Sequence, residues 1–93
     1  MATSVRHDPD RSRYELVVDG VRVGVADYRL RDGTWTFSHT EITPDRRGNG
    51  LGAELVGAAL DDVREAGGKV VPRCWYVAEF IDAHPAYQDL LAP

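Results

Sequence analysis

The apolar period of this chain changes once, across a stretch that no regular element accommodates. Up to Ile42, apolar residues alternate with polar ones. From Leu51 they recur at helical spacing, with Leu51, Leu55, Val56, Ala59, Leu60 and Val63 on one stripe. Between the two regimes stand Pro44, Arg46-Arg47 and the run Gly48-Asn49-Gly50-Leu51-Gly52. Proline ends a strand because it has no N–H for the ladder. Glycines at alternate positions open backbone conformations closed to other residues. The chain therefore passes from sheet to helix through a pliant, positively charged loop, and any fold must be built around that junction.

The segments on either side read as follows. Arg13 to Val18 alternates as a strand, with Tyr14, Leu16 and Val18 on one face. Asp19-Gly20 is a hairpin signal, since both residues tolerate positive φ. Val21 to Leu30 follows as a second strand whose apolar phase shifts, which a bulge near Gly24 explains. Asp32-Gly33 marks a second hairpin, and Thr34 to Ile42 a third strand. Simple alternation there puts Trp35, Phe37, His39 and Glu41 on one face and Thr36, Ser38, Thr40 and Ile42 on the other. Gly67-Gly68 ends the helix that begins at Leu51. Lys69 to Trp75 is a fourth, short strand; Val77 to Ala83 a short helix stopped at His84-Pro85; Ala86 to Leu91 adds one more turn. The expectation is an α+β fold: three antiparallel strands, a right-handed helical crossover to a parallel strand, and a short C-terminal helix. Residues 1–12, polar and charged around Pro9, are expected to be a loose N-terminal arm, and 13–93 a single domain.

Composition narrows the classes of function. Ninety-three residues suit one compact domain. A hydrophobic share of 43% argues for a packed core, and a net charge of −4 argues against a general nucleic-acid binder. The single cysteine, Cys74, excludes an intrachain disulfide and a four-cysteine zinc site. No metal is expected. No apolar h-region precedes Arg13, and no apolar run is long enough to span a membrane. A cytoplasmic monomer or weak dimer is the resulting expectation.

A helix N-terminus carries unpaired N–H groups and partial positive charge. Glycines let those groups converge on one ligand, and Arg47 adds a fixed cation, so the loop has the makings of a phosphate or pyrophosphate cradle. A Walker loop is excluded because no Gly-Lys-Ser/Thr follows. The dinucleotide fingerprint is matched in letters by Gly48, Gly50 and Ala53. Two hairpins precede it, however, and Lys69 to Trp75 lacks the acidic residue that would hold a ribose.

The stretch from Ile42 to Gly52 resembles the acyl-CoA signature of the GNAT N-acetyltransferase superfamily, R/Q-x-x-G-x-G/A, met by Arg47, Gly50 and Gly52. His39-Thr40-Glu41-Ile42, Val71-Pro72-x-Cys74-x-Tyr76-Val77 and His84-Pro85-x-Tyr87 narrow the resemblance to the small, single-domain YjdJ-type, GNAT-like N-acetyltransferases, from Tyr14 onward. The usual N-terminal strand with its two helices and the final two strands are not evident. The resemblance implies an acetyl-CoA-dependent N-acetyltransferase acting on an amine, such as a protein lysine or a polyamine. It implies that Ile42, Arg47, Gly48, Asn49, Gly50, Leu51, Gly52, Tyr76 and His84 contact the cofactor.

Acetyl transfer needs a polarised carbonyl, an unprotonated amine and a proton for the leaving thiolate. A strand-end N–H, that of Ile42, suits the first. Glu41 and His39 are candidate bases, and Cys74 a candidate acyl-accepting nucleophile helped by an imidazole. The Asn and helical Tyr common in larger members are absent, leaving Tyr76 or Tyr87 as proton donor. A non-catalytic acyl-CoA-binding module, and a protein-interaction domain whose loop holds another anion, are the alternatives.

Overall fold

The computed structural model describes residues 2–93. Five strands form one sheet in the order of the chain: β1 (Thr3–Asp8), β2 (Arg13–Val18), β3 (Val21–Arg31), β4 (Thr34–Ile42) and β5 (Lys69–Pro72). The first four are antiparallel neighbours, and β5 lies parallel to β4. Helix α1 (Leu51–Glu65) links β4 to β5, α2 (Trp75–Ala83) follows, and a 3-10 segment spans Pro85–Leu90. The fold is α+β, with one antiparallel strand more than the alternation revealed.

That extra strand corrects the N-terminal expectation. Residues 3–8 are not a loose arm; they pair with β2 over the whole of β1, and Pro9–Arg11 forms a 3-10 turn. The start is tied down by Asp19, whose N–H donates to the Ala2 carbonyl and whose carboxylate accepts from the Ala2 N–H, each at 2.8 Å. Only Val5 marks the inward face with an aliphatic side chain. His7 does the rest, stacking on Tyr14 at 4.3 Å. An inward histidine carries no apolar signal, so the strand hides in a polar composition.

Both hairpins form at Asp-Gly, with positive φ at Asp19, Gly20, Asp32 and Gly33. The β2–β3 register slips at Leu16/Val17, opposite Arg22–Gly24, where the phase shift indicated a bulge. A second slip was not legible. Asp27 faces His39 while Tyr28 faces Phe37, so Ser38 is the extra residue in β4. Trp35 and Phe37 point into the core, but His39 and Glu41 do not share their face; Ile42 packs on the core instead.

All six residues of the α1 stripe are buried, and Leu55, Leu60 and Val63 are wholly so. Burial of each such side chain contributes about 1.5–3 kcal/mol. They meet Tyr14, Leu16 and Val18 of β2, Ala26 and Tyr28 of β3, and Phe37 of β4. Val77 and Ile81 of α2 join the same cluster. The two helices therefore cover one face of the sheet and leave the other bare. At the end of α1 the Gly68 N–H bonds the Val63 carbonyl and the Gly67 N–H the Arg64 carbonyl, a Schellman closure.

Strand β5, expected over Lys69 to Trp75, is shorter than expected. It stops at Pro72, which has no N–H to give. The Cys74 N–H makes a last bond to the Phe37 carbonyl at 2.9 Å, and the chain turns into α2. Cys74 is the N-cap of α2 rather than a strand residue. Beyond Phe37, the edge of β4 has no strand beside it. Among the described residues no helix is long and apolar enough to cross a membrane.

Candidate active site

The open edge of β4, the glycine loop and the start of α2 enclose a groove of about 650 Å³. Its walls are His39, Thr40, Glu41 and Ile42 from β4; Arg46, Arg47 and Gly48 from the loop; Gly50, Leu51 and Gly52 from the start of α1; and Trp75 and Tyr76 from α2. The loop reaches the helix through Gly50, the N-cap, at φ +74°, where a Cβ would be strained. No side chain caps α1, so its first amides are left to solvent or to a ligand. A Cβ on Gly52 would collide with the Tyr76 hydroxyl. Glycine at this position lets α1 and α2 approach and keeps the amide accessible.

Of the expected cofactor contacts, Ile42, Arg47, Gly48, Gly50, Leu51, Gly52 and Tyr76 meet at this groove. Asn49 sits beside it in the loop, its side-chain amide donating to the Arg46 carbonyl at 3.4 Å. Arg47 donates through Nε to the Ile42 carbonyl at 3.0 Å, which ties the loop to the strand end. His84 is elsewhere. It caps the far end of α2, about 13 Å along a helix of this length. There it stacks on Phe80 and bonds the Phe80 carbonyl through Nδ1 at 2.7 Å. It stops the helix and has no place in the groove.

His39 and Glu41 form an exposed pair, Nε2 to Oε2 at 3.7 Å. They also line a second hollow of about 380 Å³ on the bare face of the sheet, with Arg13, Arg22, Asp27 and Thr43. They are the two residues common to both cavities. Cys74 is buried, and its thiol lies 3.6 Å from the Thr40 hydroxyl. Its polar partner is thus a hydroxyl, while the His39 imidazole faces Glu41. Of the two candidate tyrosines, Tyr76 lines the groove, and Tyr87 instead donates to the Asp61 carboxylate at 2.8 Å.

Beside the second hollow, Glu15 is almost fully buried under Arg6, Arg13 and Arg22, at 3.1, 2.7 and 3.5 Å. Burial pushes its carboxyl up, but hydrogen bonds from Arg13, Arg6 and Arg22 outweigh this and hold it below its ordinary value. Three groove residues, Thr40, Arg46 and Trp75, were not among the site residues expected from the sequence. Trp75 had the clearest signal available: a tryptophan beside the expected helix over Val77 to Ala83, which in the structure opens α2 and is 72% exposed.

Residues 13–90 match the family model for GCN5-related N-acetyltransferases. The chain belongs to that family. Relatives called Protein NATD1 from mouse and from human are each 32% identical to it over 92 residues. The matches cover 92% of this chain and 80% and 78% of theirs. The solution structure of a GCN5-like putative N-acetyltransferase from Staphylococcus aureus superposes with a TM-score of 0.73 at 19% identity, over 96% of this chain and 87% of that one. The ribosomal-protein-S18-alanine N-acetyltransferase of Escherichia coli gives 0.65 at 17% identity, over 77% of this chain and 50% of that one. At those identities the likeness is one of fold. GCN5-related enzymes are acetyltransferases that use acetyl-CoA as cosubstrate, and the groove lies at the family's loop signature.

Proposed function

We propose that this protein transfers the acetyl group of acetyl-CoA to an amine that arrives from the bare face of the sheet. The observation that carries the reading is the position of His39 and Glu41, which line both the loop groove and the sheet-face hollow. Two ligands entering from opposite sides would meet at these side chains and nowhere else.

The residues present fit the cofactor. The uncapped amides of α1, the left-handed backbone at Gly48 and Gly50, and Arg46 and Arg47 suit a pyrophosphate. The open edge of β4, facing Trp75 and Tyr76, suits an extended pantetheine arm. Acetyl-CoA, when bound, supplies a thioester carbonyl open to attack by the amine. Glu41 takes the ammonium proton through its carboxylate, and His39 steadies that carboxylate. The N–H of Ile42 polarises the carbonyl. The Tyr76 hydroxyl, held against Gly52, gives a proton to the departing thiolate. The Cys74 thiol holds Thr40 and fixes the width of the gap, and transfer to the amine is direct.

Incubation with labelled acetyl-CoA and a panel of amines, read by intact mass spectrometry and by calorimetry, tests this. Binding with transfer to an amine is expected, with turnover retained in Cys74→Ala. Tight binding without transfer would make the protein an acyl-CoA-binding module. Loss of transfer in Cys74→Ala, with an acetylated thiol in the parent, would replace direct attack by a cysteine relay. No binding at all would remove the phosphate-loop assignment.

A further inference from the structure

The face of the sheet away from the helices is bare and strongly basic. Strand alternation brings Arg6, Arg13, Arg22, Arg29, Arg31 and Arg73 to it or to its margin. These are six of the 11 basic residues in the chain. Against them stand Asp8, Glu15, Asp27 and Glu41. A protein with a net charge of −4 thus shows one face with a surplus of two positive charges.

The arginines fall into two groups on either side of His39 and Glu41. Arg13 and Arg22 line the hollow that these two residues share; with Arg6 they surround Glu15, and Asp27 and Glu41 line the same hollow, so the charges of this group balance. Arg29, Arg31 and Arg73 line a separate hollow of about 450 Å³ with Thr36 and Ser38. Among the described residues these three make no ion pair. Exposed guanidinium groups clustered without partners, beside two hydroxyls, suit carboxylates, which accept the guanidinium fork in a bidentate manner. Arg13, Asp27 and His39 are cross-strand neighbours in register. Arg13 therefore starts two strands, about 10 Å, from His39, or about three residues of extended chain.

We propose that this face docks an acidic segment of a protein, with a lysine amine delivered to His39 and Glu41 and carboxylates about three residues to one side held by Arg29, Arg31 and Arg73, Arg29 facing Thr36 three residues along β4 from His39. The inference rests on the proposed amine transfer and narrows its acceptor. It disfavours polyamines, which have no anionic group for that arginine cluster. It favours a peptide over nucleic acid, because Asp27 and Glu41 interrupt the basic track where continuous phosphates would run.

The test uses the full chain and fluorescent peptides with one central lysine, flanked at three residues by Glu, Ser or Arg. Binding is read by anisotropy, acetylation by mass spectrometry, and acetyl-CoA affinity separately by calorimetry. The Glu-flanked peptide is expected to bind about tenfold tighter than the Ser-flanked one and to weaken as salt rises. The triple variant Arg29→Gln, Arg31→Gln, Arg73→Gln should lose that preference, with unchanged melting temperature and unchanged acetyl-CoA affinity. The corresponding triple Lys variant should restore it. Equal binding of all three peptides would overturn the proposal. So would displacement by an oligonucleotide of matched charge at lower concentration, or self-association abolished by the same Gln variant. Acidic peptide bound but never acetylated would leave the docking surface standing and remove the transferase reading. Equal kcat/KM for Glu- and Ser-flanked peptides would do the reverse.

Discussion

On one side of the sheet, α1, α2 and the 3-10 segment after them carry seven acidic residues and one arginine. On the other, six arginines stand against four acids. The strands between are the same, and alternation sends neighbouring residues to opposite destinations. The covered face is where free energy of folding resides: its side chains are buried, apolar and shape-dependent. The bare face holds little of that and is left free to carry charge. Net charge averages the two and describes neither, so the acidic total says nothing about the face an acceptor would meet.

Changes on either side should therefore fail in different ways, and the largest effect belongs to the covered face. Leu55→Ala empties a fully buried site beneath the sheet and should cost about 2–5 kcal/mol in denaturant unfolding. Acceptor preference of the fraction that remains folded should not change. A shift in preference would mean that the two faces are coupled.

At the junction the expected loss is kinetic. Glu41→Gln should lower turnover about a hundredfold with unchanged melting, since Glu41 is exposed and, among the described residues, paired only with His39. A turnover within about twofold of the parent would move the proton acceptor to another group.

Two glycines of α1 sharpen the same contrast at smaller scale. A Cβ added at Gly57 would meet its nearest neighbour at 3.6 Å, an ordinary contact, whereas Gly52 is pressed by Tyr76. Gly57→Ala should stabilise the protein by about 0.5–1 kcal/mol through helix propensity. Gly52→Ala should displace Tyr76 and weaken acetyl-CoA binding about tenfold, as calorimetry would read. Similar behaviour of the two variants would deny the groove its special geometry.

The smallest effect is in acid. The folded chain holds the Glu15 carboxyl below its ordinary value, so the unfolded chain binds that proton more readily. The stability this contributes is fully present above the unfolded value, about pH 4.3, and fades as pH falls through the folded one. Glu15→Gln should flatten the stability profile in that window; an unchanged profile would place the acid sensitivity elsewhere.

Much of the candidate site was legible because its signals are local. The left-handed backbone that Asp-Gly and Gly-x-Gly permit, the stripe of α1 and the arginines before it depend on neighbours within a few residues. The omissions share a different cause. β1 was hidden because its inward face is completed by His7, whose role exists only once Tyr14 lies beneath it. Cys74 was assigned to a strand although Pro72, which has no N–H for the ladder, already marks the stop. Thr40 and Trp75 join the groove through contacts between distant segments.

By itself, then, the sequence determined a sheet–loop–helix junction with an anion-binding character, since backbone freedom and amide exposure are properties of a short stretch. Only the tertiary structure decided which face each β4 residue meets. The extra residue at Ser38 turns His39 and Glu41 away from the core that Trp35 and Phe37 enter. A bulge is a property of two paired strands, and its register depends on what β3 places opposite. That one offset brings the pair to the edge between the loop groove and the basic face.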